Sequence, residues 1–418
     1  MEDYESKDGR MIFAGMYASD IADEFGTPVF ATDERRLRDN YRRIYNAFSE
    51  EIPTQVHYAC KANTNLAILK VLEQEGSCID AVSVGEVRSC LKAGFTADRI
   101  LYTGVNVSNA ELKAVSDLGV MINIDSESEM ERLAKINPGA EISIRVTPGV
   151  GSGHCDKVVT GKKGSKFGIP EERILKAYSR AKELGFVPRG LHAHTGSGGQ
   201  SVEPFIEVTD VLVKIANKLE ETGIPLDFID IGGGYGVPYK MNEEVLDVKE
   251  LAIEISDIIK EESNVGTLYI EPGRYIAADT TILLTRCIEV KDAGIKKYVG
   301  VDAGMNNLVR PAMYDSYHHV AIADKFGKAC TSRYNVVGSI CESGDFLARE
   351  RVLPNPEEGD VLAIYDAGAY GFSMSSNYNT RPFCREVLVC DGKAEIIREA
   401  QTVEDLWKNQ KIPERLLQ

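Results

Sequence analysis

Two hydrophobic patterns alternate along the first two thirds of the chain. Short apolar runs are separated by longer segments in which apolar residues recur every three or four positions. The first pattern predicts buried strands, and the second predicts amphipathic helices. The predicted strands are residues 55–60, 77–82, 99–103, 120–124, 141–146, 190–194, 228–231 and 267–270.

Helical segments lie between these strands, at residues 65–75, 85–93, 109–118, 127–135, 170–184, 203–222 and 248–262. Four serines precede helical segments and are expected to cap them: Ser83, Ser108, Ser126 and Ser201. Eight strand–helix steps are the number found in a TIM-type (β/α)8 barrel, and their alternation implies parallel strands. An open, doubly wound sheet is the alternative, because the number of strands does not prove that the sheet closes.

The pattern changes after Arg274. Residues 280–290, 298–302, 319–323, 334–341, 361–366 and 386–390 are strand-like runs separated by turns, with little helix before 403–410. Asp391 and Gly392 predict a hairpin turn. We therefore predict a barrel domain at residues 29–274 and a C-terminal all-β domain, sandwich-like or barrel-like, at 275–418. Residues 1–28, with a short helix at 19–25 closed by Gly26, are expected to pack on the β domain.

Composition narrows the class of protein. With 418 residues, 43% of them hydrophobic, the chain is long enough for two or three packed domains. A net charge of −16 argues against nucleic acid or an anionic membrane as a partner. No apolar run approaches the ~20 residues of a membrane helix, and the polar N-terminus does not resemble a signal peptide.

The cysteines and histidines argue against a disulfide framework and against a zinc site. The nine cysteines are scattered and include no CxxC pair, which is typical of reduced thiols in a cytoplasmic protein. The six histidines include no HExxH motif, so no metal site is expected.

One long irregular segment, residues 147–168, interrupts the regular pattern. It contains seven glycines or prolines and the basic residues Lys157, Lys162, Lys163 and Lys166. A mobile lid over the barrel mouth and a solvated loop are the two interpretations of a loop this long.

The chemically interesting residues follow the predicted strands. Lys61 follows the first strand, and Asp80 lies near the end of the second. Residues 194–197 close the sixth strand, three glycines follow the seventh, and residues 271–274 follow the eighth. In a (β/α)8 barrel these positions meet at one face, where active sites form. Their convergence is a stronger indication than any single motif.

Each candidate has a structural interpretation beside the functional one. A desolvated Lys61 acts as an amine nucleophile, although a lone lysine at a strand end is usually solvated. Glycines 232–234 admit a phosphate to bare backbone N–H groups or form only a tight turn, and they lack the G-x-G-x-x-G spacing of a dinucleotide loop. Arg274 binds a phosphate or carboxylate, or forms a surface ion pair. His194 is a core histidine or a ring stacked on a cofactor, and the adjoining Gly196 and Ser197 favour the cofactor.

Taken together, these residues resemble the fold-type III pyridoxal-phosphate decarboxylases, whose barrel is similar to that of alanine racemase, and most closely the diaminopimelate decarboxylases. The resemblance extends from about residue 13 to residue 399. It rests on nine motifs in order: YACKAN (58–63), DAVSVGE (80–86), HAHTGSGG (192–199), DIGGGYG (230–236), EPGRY (271–275), RPAMYDSYHH (310–319), CESGD (341–345), AGAY (367–370) and NYNTRP (377–382).

The resemblance implies that Lys61 forms an aldimine with pyridoxal 5'-phosphate. The implied cofactor site comprises Lys61, Asp80, His194, Ser197, Gly232, Gly233, Gly234, Glu271, Pro272, Gly273, Arg274 and Tyr370. Within it, His194 would stack on the ring, and Glu271 would face the pyridine nitrogen. A carboxylate there keeps that nitrogen protonated, which makes the ring a strong electron sink. Alanine racemases have an arginine in this place, so Glu271 favours decarboxylation.

The resemblance also implies a reaction and an assembly. Cys341 would protonate the product carbanion from the neighbouring subunit of a head-to-tail homodimer, although a buried small hydrophobe is the commoner fate of a cysteine. The expected reaction, the last step of lysine biosynthesis, converts meso-2,6-diaminoheptanedioate to L-lysine and CO2. The implied substrate site comprises Arg274, Arg310, Tyr314, Glu342 and Tyr370. Within it, Arg310, Tyr314 and Arg274 would bind the distal carboxylate, and Glu342 would bind the distal ammonium group.

Three alternatives remain open from the sequence. One is decarboxylation of another basic amino acid, namely arginine, ornithine, lysine or carboxynorspermidine. Arg310 disfavours the first three of these substrates, because they lack a distal α-carboxylate. The other two alternatives are a non-catalytic pyridoxal-phosphate-binding barrel and a barrel that binds no cofactor.

Overall fold

The structure is a computed structural model that describes residues 4–151, 153, 160–240 and 242–417. The chain forms two compact units, one of residues 1–35, 239–241 and 279–418, and one of residues 36–238 and 242–278. Among the described residues, none of the helices combines the length and the apolar character needed to cross a membrane.

The N-terminal segment contributes small elements to the first unit. Its elements are β1 (Ser6–Lys7), β2 (Arg10–Phe13), β3 (Met16–Tyr17), α1 (Ala18–Phe25) and β4 (Val29–Asp33). Strands β1 to β3 form an antiparallel sheet. Helix α1 ends at Gly26, whose φ of 76° suits a glycine, as the sequence predicted.

The second unit contains the alternating strands and helices. In chain order they are α2 (Glu34–Ser49), β5 (Thr54–Ala59), α3 (Leu66–Gln74), β6 (Cys78–Ala81), α4 (Val84–Ala93), β7 (Ile100–Tyr102), α5 (Asn109–Asp117), β8 (Met121–Ile124), α6 (Glu127–Ala134), β9 (Glu141–Thr147), β10 (Ile169–Pro170), α7 (Glu171–Glu183), β11 (Val187–His192), α8 (Glu203–Glu221), β12 (Phe228–Asp230), α9 (Val248–Glu262), β13 (Thr267–Ile270) and α10 (Arg274–Ala277).

The strands of this unit close into a parallel barrel. Within the described residues, eight strands pair side by side in the order β5-β6-β7-β8-β9-β11-β12-β13, and β13 pairs with β5. The predicted (β/α)8 barrel is therefore confirmed, and the open sheet is wrong. The short strand β10 adds to the edge of β9.

Serine capping explains where several barrel helices begin. The hydroxyl oxygens of Ser83, Ser108 and Ser126 accept hydrogen bonds from the third backbone N–H of α4, α5 and α6, as predicted. The prediction for Ser201 is wrong, because the cap residue of α8 is Val202. The helix begins at Glu203 with a proline in its first turn, so Ser201 lies one residue before the cap position.

The remaining elements of the first unit are mainly strands. They are β14 (Thr281–Asp292), β15 (Lys297–Val301), α11 (Arg310–Tyr314), β16 (Val320–Ile322), β17 (Ser332–Val337), β18 (Phe346–Leu353), β19 (Val361–Ile364), β20 (Arg385–Cys390), β21 (Lys393–Arg398) and α12 (Val403–Trp407). The mainly β character of this region is confirmed. Asp391 and Gly392 form the predicted hairpin turn between β20 and β21, both with positive φ. Strand β18 was not predicted, because charged residues interrupt its apolar positions.

Strand β4 lies in the sheet of this unit. It pairs antiparallel with β14 and parallel with β20. Its residues are buried on both faces, since Phe30 packs in one hydrophobic cluster and Val29 and Ala31 pack in another. The predicted barrel domain begins at residue 29, whereas in the structure the first unit extends to residue 35. Met11, from the first 28 residues, packs in the same cluster as Val29.

Candidate active site

Lys61 lies on the short helical turn Cys60–Ala62 that directly follows β5. Its ammonium nitrogen is 2.5 Å from a carboxylate oxygen of Asp80, at the end of the neighbouring strand β6. The Lys61 side chain is 31% exposed, whereas that of Asp80 is fully buried. The amine is therefore held in place by a buried acid, on a side chain that is partly exposed.

Asp80 is oriented by a second contact. The hydroxyl of Thr103, just after β7, donates a hydrogen bond to its other carboxylate oxygen. Burial raises the pKa of Asp80, and the negative charge of Glu271 acts in the same direction, whereas Lys61 opposes it. Asp80 and Lys61, which were predicted to lie at the same end of the barrel, are in direct contact.

The glycines after β12 leave no room for side chains. A Cβ atom on Gly233 would lie 2.2 Å from the carbonyl oxygen of Glu271, and one on Gly232 would lie 2.5 Å from that of Ala193. Gly232 and Gly234 also have positive φ values of 72° and 114°. Close packing and backbone conformation both require glycine here, and they leave bare backbone beside His194.

Arg274 begins α10 and lies next to Ser197. One guanidinium nitrogen donates to the Ser197 hydroxyl at 3.0 Å, and Arg274 is buried. Gly198 and Gly199 donate backbone hydrogen bonds to the carbonyl oxygen of Gly234, so the loops after the sixth and seventh strands are joined. A buried guanidinium, a hydroxyl and a glycine loop are the groups that bind a phosphate in barrels of this type.

His194 follows β11 and lies beside the glycine loop, since a Cβ atom on Gly233 would be 3.5 Å from its Nε2. The backbone N–H of Gly196 donates to its Nδ1 at 3.0 Å, so the proton of the neutral ring is on Nε2. Burial lowers the pKa of His194 well below its ordinary value, and the positive charges of Lys61 and Arg145 act in the same direction. A neutral flat ring in this position suits stacking on an aromatic cofactor.

Thr160, within the 147–168 segment, is hydrogen-bonded to the backbone around His194. Thr160 donates its hydroxyl to the carbonyl oxygen of His194 at 3.1 Å and its backbone N–H to that of Thr195 at 3.1 Å. The predicted lid falls partly on positions 152 and 154–159, including Lys157, which lie outside the described residues. Its role as a lid remains a prediction.

Glu271 directly follows β13 and is buried with two other polar side chains. Its Oε2 atom is 3.3 Å from Nε2 of His192, which ends β11. Asp230 ends β12, and polar atoms of these three residues all lie within 4.8 Å of one another. Burial alone would raise the pKa of Glu271, but the contact with His192 and the positive charge of Lys61 reverse this and lower it below its ordinary value. Glu271 is therefore an ionised carboxylate at the carboxyl end of the barrel strands.

The described residues fit pyridoxal 5'-phosphate. The barrel supplies an accessible amine, a phosphate cradle, a neutral aromatic ring and a buried carboxylate. Oε1 of Glu271 has no hydrogen-bond donor among the described residues, which is the situation expected of an atom that accepts a bond from a cofactor nitrogen. In this arrangement Lys61 would bind the aldehyde carbon, and Ser197, Arg274 and the glycine backbone would hold the phosphate.

Pro272 and Gly273 lie with Glu271 and Arg274 in the second unit, whereas the predicted residues that follow Ala278 lie in the first unit. Arg310, at the start of α11, is buried and donates a hydrogen bond at 3.0 Å to Nε2 of His318. The Nδ1–H of His318 donates to the carbonyl oxygen of Tyr365 at 2.7 Å, and the Arg310 guanidinium lies 4.8 Å from the ring centre of Tyr239. Tyr314 ends the same helix. Arg310 is thus a fixed cation.

Cys341, Glu342 and Tyr370 lie in loops of this unit. Cys341 is exposed, and its backbone N–H donates to the side chain of Asn379 at 3.0 Å. Glu342 is also exposed and accepts a hydrogen bond from Tyr378. Tyr370 has a φ of 57°, which is uncommon for a tyrosine.

Three buried barrel residues at the site were not predicted from the sequence. They are His192, Asp230 and Arg145, and each lies at or near the end of a barrel strand. Arg145 stacks over Phe167 at 4.6 Å from its ring centre. Polar residues at the ends of otherwise apolar strands are the signal that marks them, and the fifth strand, which contains Arg145, carries none of the predicted site residues.

Comparison with known proteins places this site in a family. Residues 34–278 match the family described as pyridoxal-dependent decarboxylase, pyridoxal binding domain. The chain is 50% identical to diaminopimelate decarboxylase of Methanothermobacter thermautotrophicus, with 98% of this chain and 97% of that protein covered. It belongs to the diaminopimelate decarboxylase family.

Solved structures agree with this membership. Diaminopimelate decarboxylase from M. jannaschii, determined in complex with L-lysine, is 34% identical and superposes with a TM-score of 0.93 over 99% of this chain and 98% of that one. A more distant structure, SrLDC in complex with PLP and cadaverine, is 25% identical with a TM-score of 0.80 over 93% of this chain and 95% of that one. Members of this family are pyridoxal-dependent decarboxylases, so the barrel site described above is the expected cofactor site of such an enzyme.

Proposed function

We propose that this protein is a pyridoxal-phosphate-dependent carboxy-lyase that converts meso-2,6-diaminoheptanedioate to L-lysine and CO2. The observation that supports this most directly is the ionised, buried Glu271 at the same end of the barrel as the Lys61–Asp80 pair. An acid at that position favours a protonated cofactor nitrogen, and decarboxylation depends on such an electron sink more than racemisation does.

The cofactor, when bound, withdraws the electron pair that CO2 leaves behind. The protein supplies the positions and the protons around it. Asp80 holds the Lys61 amine in place, and the neutral His194 ring offers a flat apolar face. Arg274 and Ser197 offer a cation and a hydroxyl to the phosphate, and Tyr370 is assigned to the same phosphate by the family resemblance.

Substrate choice is assigned to the first unit. Arg310, which His318 holds in a buried position, would bind the distal carboxylate, with Tyr314 beside it on the same helix. Glu342 would bind the distal ammonium group. Ornithine, lysine and arginine have no carboxylate at that end, so a buried guanidinium favours diaminoheptanedioate over all three.

Proton delivery to the product is assigned to Cys341. Its exposed position leaves it accessible, and the family resemblance places it in the site of the neighbouring subunit of a homodimer.

The eight described cysteines are all free thiols, which supports a reducing, cytoplasmic location, and fractionation of source cells would test this location.

The decisive assay measures CO2 release by purified protein from meso-diaminoheptanedioate, lysine, ornithine and arginine in parallel. We expect release from the first substrate only. Equal or greater release from one of the others would overturn the substrate assignment. The Lys61→Ala variant should lose both turnover and the absorbance near ~420 nm that borohydride removes from the wild-type protein. A colourless wild-type protein that ignores added cofactor would refute the proposed function as a whole.

Subunit sharing has its own test. Lys61→Ala and Cys341→Ala are each expected to be inactive, but a mixture of the two contains dimers in which one complete site forms. Random exchange of subunits would restore about a quarter of wild-type activity. If mixing restores nothing although the subunits exchange, Cys341 acts within its own chain or does not act at all.

A further inference from the structure

Two buried carboxyl groups meet at the carboxyl ends of the barrel strands, and one histidine lies beside them. Asp230 and Glu271 lie at the ends of neighbouring strands β12 and β13, and His192 ends β11 on the other side of β12. All three residues are at most 2% exposed. Their polar atoms lie within 4.8 Å of one another, so they form one electrostatic group.

Two carboxylates this close and this deeply buried are disfavoured as a doubly charged pair, because each charge raises the energy of the other. Desolvation disfavours each charge, and mutual repulsion disfavours the second one further, so both effects favour one protonated acid. Both effects therefore favour one shared proton at neutral pH, held by one of the two acids.

The surroundings assign the proton to Asp230. Glu271 faces His192 at 3.3 Å and is stabilised as an anion by the positive charge of Lys61. Asp230 accepts one backbone hydrogen bond, from Gly232 at 2.8 Å, and its Oδ2 atom has no donor among the described residues. An unpaired carboxylate oxygen is costly to bury, whereas a hydroxyl at the same place can donate to Glu271. Burial raises the pKa of Asp230 well above its ordinary value, and the charge of Glu271 acts in the same direction.

We propose that Asp230 and His192 are positioning residues: Asp230 stays protonated and donates a hydrogen bond to Glu271, while His192 packs against Oε2 of the same carboxylate at 3.3 Å. This leaves a single negative charge, fixed on Glu271. The inference rests on the proposed role of Glu271 as the partner of the cofactor nitrogen, and it extends that role to residues that do not touch the cofactor themselves.

The backbone explains why the group is rigid. Oδ1 of Asp230 accepts the N–H of Gly232, and the carbonyl oxygen of Gly232 in turn accepts the backbone N–H of Glu271 at 2.9 Å. The two acids are therefore linked through one glycine as well as through their side chains. A shift of Asp230 would be passed to Glu271 directly.

Infrared spectroscopy of the cofactor-free protein tests the protonation state without any reliance on activity. At neutral pH, the wild-type spectrum minus the Asp230→Asn spectrum should contain the carbonyl band of a buried, protonated carboxylic acid. That band should move when aspartate carries 13C and should stay in place when glutamate carries 13C. A band that moves only with labelled glutamate, or no such band, would overturn the proposal. So would a stoichiometric metal ion that the wild-type protein contains and Asp230→Asn lacks.

Variants test the positioning role. Asp230→Asn retains an N–H donor and should keep most of the cofactor affinity, whereas Asp230→Leu should bind the cofactor at least 10-fold more weakly. His192→Gln should likewise be milder than His192→Phe. With 15N-labelled cofactor, the nitrogen signal should stay that of a protonated pyridine in the two conservative variants and shift towards the neutral form in the two apolar ones.

Equal behaviour of conservative and apolar variants would show that these residues only fill space. Thermal melting of the cofactor-free variants controls for misfolding, because a variant that melts like the wild type but loses the nitrogen proton has lost positioning alone. If wild-type protein binds no cofactor, the proposed function fails first, and the infrared band of the cofactor-free protein still decides the state of Asp230.

Discussion

Gly233→Ala is the most direct test of how the glycine loop and Glu271 depend on each other. The new methyl carbon would lie 2.2 Å from the backbone carbonyl oxygen of Glu271 and 3.5 Å from Nε2 of His194. Non-bonded heavy atoms rest about 3.5 Å apart, so the loop or Glu271 must move by about 1 Å. Gly233 is not among the glycines with positive φ, so the strain comes from this contact and not from an unfavourable backbone conformation.

The size of the effect follows from that displacement. Overpacking of this kind costs about 1–3 kcal/mol of stability. A displacement of about 1 Å at a group that positions the reacting centre costs roughly 100-fold in rate. We therefore expect kcat/KM to fall about 100-fold and cofactor affinity to fall about 10-fold, while the barrel still folds.

Three measurements check this prediction: titration of the cofactor-free protein with pyridoxal phosphate, steady-state CO2 release, and thermal melting. Gly266→Ala is the matched control, because a Cβ atom there meets nothing within 4 Å. It should behave like the wild type or melt slightly higher. If Gly233→Ala binds cofactor and turns over as well as Gly266→Ala does, the idea that the loop must press against Glu271 is incorrect.

Three further predictions concern other parts of the chain. Cys341→Ala should keep the bound cofactor but lose about 100-fold or more in kcat, as expected for loss of a general acid; unchanged turnover would remove it as proton donor. Arg310→Ala should raise KM for diaminoheptanedioate by an amount equivalent to roughly 1.5–3 kcal/mol, without a similar loss of cofactor, and an unchanged KM would exclude contact with the distal carboxylate. Glu129→Gln should flatten the dependence of stability on pH. Burial raises the pKa of Glu129 from 4.5 to about 8, so the native state keeps a proton that the unfolded chain releases, and wild-type stability falls as pH rises through this range, by up to about 1.4 kcal/mol per pH unit. Equal pH dependence of the two melting temperatures would contradict this last prediction.

Much of the site is predictable because parallel strands in a barrel all point their carboxyl ends to one face. That rule is enough to select Lys61, Asp80, His194 and Glu271 from the sequence. The rule identifies position along a strand, but it does not say which side chains turn towards each other. Lys61 and Asp80 form an ion pair because β5 and β6 are neighbours in the closed sheet.

Other residues could not be assigned in this way. His192 lies two positions before His194, inside a predicted strand, although it is His192 that touches Glu271. Strand β4 follows an ordinary strand pattern, and nothing in that pattern says that it joins a sheet formed some 250 residues later along the chain. Burial on both faces, which decides the matter, is a property of the assembled sheet.

The sequence by itself determined the succession of strands and helices, the change to a β-rich region after Arg274, and the residues able to do the chemistry. These are local properties, since periodicity, caps and turns depend on residues a few positions apart. Only the tertiary structure decided that the sheet closes, that β4 belongs to the other unit, and that Asp230, Glu271 and His192 meet in one buried group. Their charge states depend on distance and burial, and residues some 40 positions apart become neighbours only when the barrel closes.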